Sequence, residues 1–432
     1  MTAAEPLSVA TGTSLEQEPS GAPARGAKKA IFGTMGTAVA LVVAQAATAV
    51  FMLVLARRTS TDDFGAYAGL YGASLSIGAL LDFGSSQCQT RELARHVGRA
   101  NFRRWLWRRS MIQLPAVAVF GVIALLLLDG ALPAICTIGL LGQALTYNLS
   151  QGSMAAVRAT RSPVVAEWFV GTGNVLMVTV LLICPDRWVL PIAGLGAAGS
   201  WLLAAAMGLW VTRRAVGGRP SPGARNPWAG STSFGVSSFS TSIQGFAIGA
   251  IGWTSGAPEA ARIGAVNKWG QPIALFAAAY ASYMFPAFAR ARTDREAVRM
   301  LRPLRIIAGA GVGVAIIIVI GSPLLVDSLL GDQYSNASDV LRLLVIAAVP
   351  VLLAQPLSAL LQARGQERYV ARLFVTVNLA VFAATVASSF ALGAVSIPLL
   401  SFFGSCVLLV ALDRRVIRML KASRHVPSTP PA

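Results

Sequence analysis

The chain has 432 residues, of which 55% are apolar and only 12% are charged, and its mean hydropathy is +0.63. A soluble domain carries about 25% charged residues, so this composition excludes a water-soluble protein and predicts a polytopic membrane protein. The formal net charge of +18 would also suit a nucleic-acid-binding protein. The placement of the basic residues along the chain decides between that function and membrane topology.

Apolar runs recur along nearly the whole chain after a polar start. Residues 1–29 are rich in Ala, Pro, Ser, Gly and Glu without periodicity, which predicts a disordered cytoplasmic tail. The runs that follow approach the length of about 20 residues that crosses a hydrocarbon core. The sequence predicts an all-α fold with twelve transmembrane helices at 30–55, 65–87, 110–128, 133–156, 164–184, 189–211, 231–253, 262–288, 304–326, 340–361, 370–392 and 396–412.

The basic residues are distributed by side of the membrane. With the N-terminus inside, 30 of the 36 Lys and Arg residues fall in segments predicted to be cytoplasmic, as the positive-inside rule requires. The charge therefore needs no nucleic acid, and it predicts attraction to anionic lipids of the inner leaflet. The sparing use of Lys is typical of a GC-rich bacterial genome. We expect a multi-pass protein of the bacterial plasma membrane with both termini in the cytoplasm.

The two halves of the chain repeat each other weakly. Phe64–Tyr67 corresponds to Ile263–Val266, and Arg91 corresponds to Arg290 at the same spacing. Six crossings in each half give both halves the same orientation, which relates them by a pseudo-two-fold axis along the membrane normal. A cleft between two such lobes is where a transporter of this symmetry binds its substrate.

The repeat divides the chain into five segments. The tail is followed by an N-terminal lobe at 30–211 and a cytoplasmic linker at 212–230, in which Gly and Pro residues interrupt any helix. A C-terminal lobe occupies 231–412, and a basic cytoplasmic tail occupies 413–432.

Several short motifs resemble one known family. They are Leu55-Ala56-Arg57, Asp63-Phe64-Gly65-Ala66-Tyr67, Leu81-Asp82-Phe83-Gly84, Arg91-Glu92-Leu93-Ala94-Arg95, the Gly331, Tyr334, Ala337, Leu341, Leu344 spacing, and Leu361–Glu367. Their order resembles bacterial polysaccharide transporters, the Wzx-type flippases of lipid-linked oligosaccharides in the multidrug/oligosaccharidyl-lipid/polysaccharide exporter superfamily. Many relatives carry an Asp in the seventh helix where this chain has Gln244, ahead of Ile248-Gly249.

The resemblance implies a specific activity. The chain would flip a polyprenyl-diphosphate-linked oligosaccharide from the inner to the outer leaflet by alternating access, with a polysaccharide polymerase and glycosyltransferases as partners. A cation-coupled multidrug antiporter of the same superfamily and a non-transporting scaffold are the alternatives. An enzyme is disfavoured because no His lies in a predicted span, and the scattered Cys and His residues predict neither a metal site nor a cofactor.

The basic candidates for substrate binding have two interpretations each. Lys268 lies about 9 Å into its predicted helix, and a buried ammonium costs about 2.5–3.5 kcal/mol. It either reaches the interface through its flexible stem or binds a substrate phosphate in the cleft. Arg57 and Arg58 are either interfacial anchors or an electropositive mouth for a pyrophosphate head group.

The remaining candidates are acids and amides. Asp82 and Glu167, two carboxylates in the predicted spans, either neutralise nearby arginines or take part in proton or cation coupling. Amides either line a sugar-compatible cavity or join helices by hydrogen bonds worth about 0.6 kcal/mol each. The amides put forward for substrate binding are Gln45, Asn148, Gln151, Gln244, Asn267 and Gln271.

Overall fold

The computed structural model describes residues 23–94, 101–128, 132–216, 231–270, 293–301 and 304–422, with single residues between 228 and 291. Among these residues the secondary structure is helical, with short 3₁₀ turns and no strand. The helices are α1 (Pro23–Arg58), α2 (Thr61–Asp82), α3 (Ser85–Ala94), α4 (Phe102–Leu128), α5 (Ala134–Thr160), α6 (Pro163–Ile183), α7 (Val189–Thr212), α8 (Thr232–Ile243), α9 (Phe246–Ser255), α10 (Ala257–Val266), α11 (Asp294–Arg299), α12 (Leu304–Leu330), α13 (Ala337–Ala363), α14 (Glu367–Leu392) and α15 (Ser396–Ala422).

The predicted all-α membrane fold is confirmed. Within the described residues, seven helical stretches are long and apolar enough to cross a membrane. The last of them, Glu367–Ala422, contains both α14 and α15, which pack on each other. The other predicted spans correspond to α4, α5, the pair α8 and α9, and α10, the last followed by residues outside the description.

Helices α1–α7 form an N-terminal lobe and α8–α15 form a C-terminal lobe. We call the end of the bundle at which α1 ends and α2 begins the distal end, and the end at which α2 finishes the proximal end. Helix α2 packs along α8, α9 and α10, so it carries most of the contact between the lobes. The basic-residue distribution predicts that the distal end faces outward.

Several helix bounds differ from the predicted segments, most clearly at the two tails and in the seventh span. Helix α1 begins at Pro23, inside the predicted tail, and α15 continues to Ala422, inside the second predicted tail. Hydropathy marks the apolar part of a helix, whereas the backbone stays helical into the interface until a residue breaks it. The predicted seventh span is interrupted at Gln244 and Gly245, between α8 and α9. Most of the predicted linker lies outside the described residues.

Small residues let α2 approach the other lobe closely. A Cβ at Gly72 would lie 2.8 Å from the carbonyl oxygen of Gly245, and one at Gly69 would lie 3.2 Å from the Cα of Gly249. A Cβ at Gly65 would overlap the carbonyl oxygen of Ala257. Close backbone packing through glycine is the usual way in which membrane helices associate without a hydrophobic driving force.

Candidate functional site

A cavity of about 660 Å³ lies between the two lobes. Helices α1, α2, α5, α6 and α7 line one side, and the α8–α10 segment with α13, α14 and α15 lines the other. Its walls extend to Arg158 and Glu167, close to the proximal ends of α5 and α6. The cleft predicted between the lobes is therefore present as a cavity that residues of both lobes line.

A polar stripe on α5 forms part of the wall. Tyr147, Gln151 and Arg158 line the cavity, and their spacing of four and seven residues places them on one face of the helix. Nη2 of Arg158 donates to Oε1 of Glu167 on α6 over 2.9 Å. Both side chains are partly buried, so Glu167 neutralises an arginine and also faces the cavity.

Lys268 brings a positive charge to the C-terminal wall. It lines the cavity in the turn that follows α10, beside Asn267, which also lines it. No described carboxylate lies within ion-pair distance of Lys268. Lys268 therefore lies on the cavity wall, and its binding of a substrate phosphate stays a prediction. The neighbouring Gln271 lies outside the described residues.

The break between α8 and α9 places another amide at the cavity. Gln244 and Gly245 form the turn between the two helices, and both line the wall. Nε2 of Gln244 donates to the backbone oxygen of Asn378 on α14 over 3.3 Å. Gln244 occupies the position where the resemblance noted a missing acid, and its amide holds the break against α14.

The N-terminal wall carries a second group of amides. Nδ2 of Asn174 on α6 donates to the Ala44 carbonyl and to Oγ1 of Thr48, each over 3.2 Å, which joins α6 to α1. Gln45 on α1 also lines the cavity. Its Oε1 is buried and has no hydrogen-bond partner in the described structure. A buried acceptor without a donor is costly, so Gln45 is suited to a donor on a bound molecule.

Three residues predicted for binding lie away from the cavity wall. Nη2 of Arg57 donates to the Ser328 carbonyl over 2.7 Å at the distal end. Arg58 donates to the carbonyls of Leu181 and Cys184, each over 2.6 Å, and so satisfies the end of α6. Asn148 is buried and donates to the Gly78 carbonyl, which joins α5 to α2. These contacts give Arg57 and Arg58 partners at helix ends and make Asn148 a link between helices, whereas substrate binding by the three residues stays a prediction.

Asp82 is also removed from the cavity wall. Nη1 of the fully buried Arg109 donates to its Oδ1 over 2.6 Å, and Ser85 and Ser86 donate hydroxyl hydrogens to the same carboxylate. The other Arg109 amino group donates to the Asn148 carbonyl. Asp82 therefore neutralises an arginine inside the N-terminal lobe, whereas Glu167 is the coupling candidate that reaches the cavity.

Sequence reasoning missed several wall residues. The cavity wall also holds residues that were not among the predicted binding residues, namely Tyr71, Tyr147, Arg158, Trp201 and Ser401. The signal that would have found part of this set is the helical spacing of polar residues inside an apolar run, as on α5. The described cavity charges are Lys268, Arg158 and Glu167, and the described residues hold no cluster that could bind a metal ion.

No protein-family model matches the chain, and no curated protein matches it either. Its fold is similar to solved MATE structures. A point mutant of a MATE protein has a TM-score of 0.62 at 14% identity and covers 90% of this chain and 96% of its own. An outward-facing multidrug resistance MATE family transporter of the MOP superfamily has a TM-score of 0.61 at 13% identity, with the same coverage. A mutant of the Vibrio cholerae MATE transporter VcmN has a TM-score of 0.52 at 14% identity, covering 92% and 98%.

These matches assign the fold. The chain has the two-lobe fold of the solved MATE transporters, built from helices that include seven stretches long and apolar enough to cross a membrane among the described residues. Its structural neighbours are transporters and not enzymes. The narrower resemblance to polysaccharide flippases is not confirmed by them.

Proposed function

We propose that this chain is a transporter that moves amphiphilic small molecules across the plasma membrane by alternating access of the interlobe cavity. The observation that carries the proposal is a cavity bounded by both lobes, so that rocking of one lobe against the other changes its access. Its volume of about 660 Å³ lies within the range that holds drug-sized ligands. One solved protein of this fold is described as a multidrug resistance MATE family transporter, which supports drug-sized molecules as the cargo. Exchange for a cation is the alternative that the sequence motifs left open.

Coupling to a cation would pass through Glu167. Its carboxylate lines the cavity, whereas Asp82 is enclosed by Arg109, Ser85 and Ser86. A proton or cation that reaches the cavity meets Glu167 first and competes with Arg158 for it. This competition would link the state of the ion pair to the occupancy of the cavity.

Flipping of a lipid-linked oligosaccharide is the second candidate function, and Lys268 is the observation that favours it. With Glu167 paired to Arg158, the described cavity wall keeps one positive charge that no described acid neutralises. A cationic drug would be repelled by that charge, whereas a diphosphate would be attracted. In this case the glycosyltransferases and the polymerase would be partners of the chain.

Lys268 variants separate the two functions. Purified protein in proteoliposomes is given either a fluorescent cationic dye with an imposed proton or sodium gradient, or a polyprenyl-diphosphate disaccharide whose flipping is followed by enzymatic access. For the antiporter we expect dye transport to be kept or increased in Lys268→Gln. For the flippase we expect Lys268→Gln to lose flipping and Lys268→Arg to keep it. Wild-type protein that moves neither probe under any gradient contradicts both functions.

Binding to anionic lipids is proposed at the proximal end. Arg103, Arg104 and Trp107 are exposed at the start of α4, and Arg414 and Arg418 are exposed near the end of α15. A tryptophan between arginines suits the level of the lipid head groups. Vesicles with and without anionic lipid, compared for their effect on the melting temperature, test this binding.

A further inference from the structure

The polar loop between α12 and α13, in the C-terminal lobe, contacts the N-terminal lobe at the distal end. Nε2 of Gln333 in this loop donates to the backbone oxygen of Ala56 on α1 over 3.0 Å. In the opposite sense, Nη2 of Arg57 donates to the carbonyl oxygen of Ser328 over 2.7 Å. The two bonds join the end of α1 in the N-terminal lobe to the end of α12 and to the turn that follows it in the C-terminal lobe. We call residues 328–336 the distal loop.

Tyr334 anchors the distal loop by packing. Its ring is 1% exposed and meets Phe64 of α2 edge-on, with 6.1 Å between ring centroids. Gly331 starts the short 3₁₀ turn with a φ of 83°, a left-handed value that favours glycine and directs the turn inward. Burial raises the pKa of the Tyr334 phenol, and its hydroxyl has no hydrogen-bond partner in the described structure. The aromatic ring, and not the hydroxyl, therefore holds the loop.

The same interface leads directly into the cavity. Ala257, Gly264 and Lys268 fall at positions i, i+7 and i+11 of one face of α10 and its continuation. A Cβ at Gly264 would lie 2.6 Å from the Cβ of Ala68 on α2, and Lys268, one turn further, lines the cavity. Ala261, at i+4 of this face, is fully buried. Separation of α2 from α10 at the distal end would therefore expose Ala261 and open a path to Lys268.

We propose that the distal loop is a reversible latch, and that the contacts of Gln333 with Ala56, of Arg57 with Ser328 and of Tyr334 with Phe64 must break before the cavity opens at the distal end. The inference rests on the proposed transport by alternating access. Two of its contacts are hydrogen bonds to backbone oxygens, that of Arg57 exposed and that of Gln333 part-buried, and each contributes only modestly to stability. Such a latch stabilises the state that is closed at the distal end, yet its contacts can break reversibly.

Cysteine accessibility tests the latch without any transported substrate. Ala261→Cys is introduced into full-length protein in which the half-buried Cys406 is replaced by Ser, the other natural cysteines being buried. The rate of labelling by a membrane-impermeant maleimide is then compared in nanodiscs. We expect Gln333→Ala to raise the rate about fivefold and Tyr334→Ala to raise it more than about tenfold. Tyr334→Phe, which keeps the ring, is the matched control and should leave the rate unchanged.

The outcomes separate the latch from the proposed function. Equal labelling rates in Gln333→Ala, Tyr334→Ala and the parent protein, at equal melting temperatures, would overturn the latch. Because Gln333 is exposed, its variant stays informative even if Tyr334→Ala fails to fold. Rates that rise as expected in a protein that transports neither the cationic dye nor the lipid-linked disaccharide would support the latch and overturn the transport function.

Discussion

Arg158 and Glu167 form an ion pair of 2.9 Å on the N-terminal wall of the interlobe cavity, near its proximal end. The pair lies on neighbouring helices, α5 and α6, and both partners face the space between the lobes. Each partner neutralises the charge of the other, so the intact pair presents little net charge to a ligand. The charge that a ligand meets therefore depends on whether this pair stays intact.

Breaking the pair from either side should change the charge preference of the cavity in opposite directions. Glu167→Gln leaves Arg158 unpaired and should tighten the binding of an anionic amphiphile by several-fold to about tenfold. Arg158→Gln leaves Glu167 unpaired and should do the same for a cationic amphiphile. Tryptophan fluorescence titration with a matched pair of charged probes measures both. Identical affinities for both probes in the two variants would show that the pair does not face the ligand.

The buried pair of Asp82 and Arg109 should behave differently. Arg109 is fully buried, so Asp82→Asn leaves a guanidinium without a counter-charge in the protein interior. We expect a loss of about 3–5 kcal/mol in the free energy of unfolding. Asp339→Asn, which removes a largely exposed partner of Arg342, is the control and should cost less than about 1 kcal/mol. Denaturant titration of the purified variants gives both values, and equal losses would contradict the assignment.

Much of the fold was predictable because its cause is local. Apolar runs indicate the helices, and small residues at a spacing of four, as in Gly245 and Gly249, indicate close packing. The orientation that follows from the one-sided distribution of arginines stays a prediction. The break at Gln244 was not predictable, since neither residue of the turn excludes a helix. It depends on contacts with α14 that only the folded chain provides.

The site was predictable in part for the same reason. Lys268, Asn267, Gln45, Gln151, Gln244 and Glu167 line the cavity because polar groups in apolar spans avoid lipid. Arg57, Arg58 and Asn148 were equally conspicuous, yet their hydrogen bonds go to helix ends and backbone oxygens. Sequence alone does not tell a polar group that binds a ligand from one that binds its own backbone.

The contact of α2 with α10 should depend on the absence of a side chain at Gly65. A methyl group there would overlap the Ala257 carbonyl, so Gly65→Ala should separate the helices and cost about 1–3 kcal/mol of stability. The control is Gly199→Ala in α7, where nothing lies within 4 Å of the added atom. That variant should be neutral or stabilised by up to about 1 kcal/mol. Thermal unfolding of the two proteins measures the difference, and equal melting temperatures would contradict the close approach.

The most direct test of transport through the interlobe cavity is to measure from which side of the membrane one wall residue can be labelled. Ser401 on α15 lines the cavity, is half-buried and belongs to no proposed binding group. In a background without reactive natural cysteines, Ser401→Cys is labelled with an impermeant maleimide in right-side-out and in inverted membrane vesicles. We predict labelling from both faces, with the balance shifted by an imposed ion gradient. Labelling from one face under every condition would contradict alternating access.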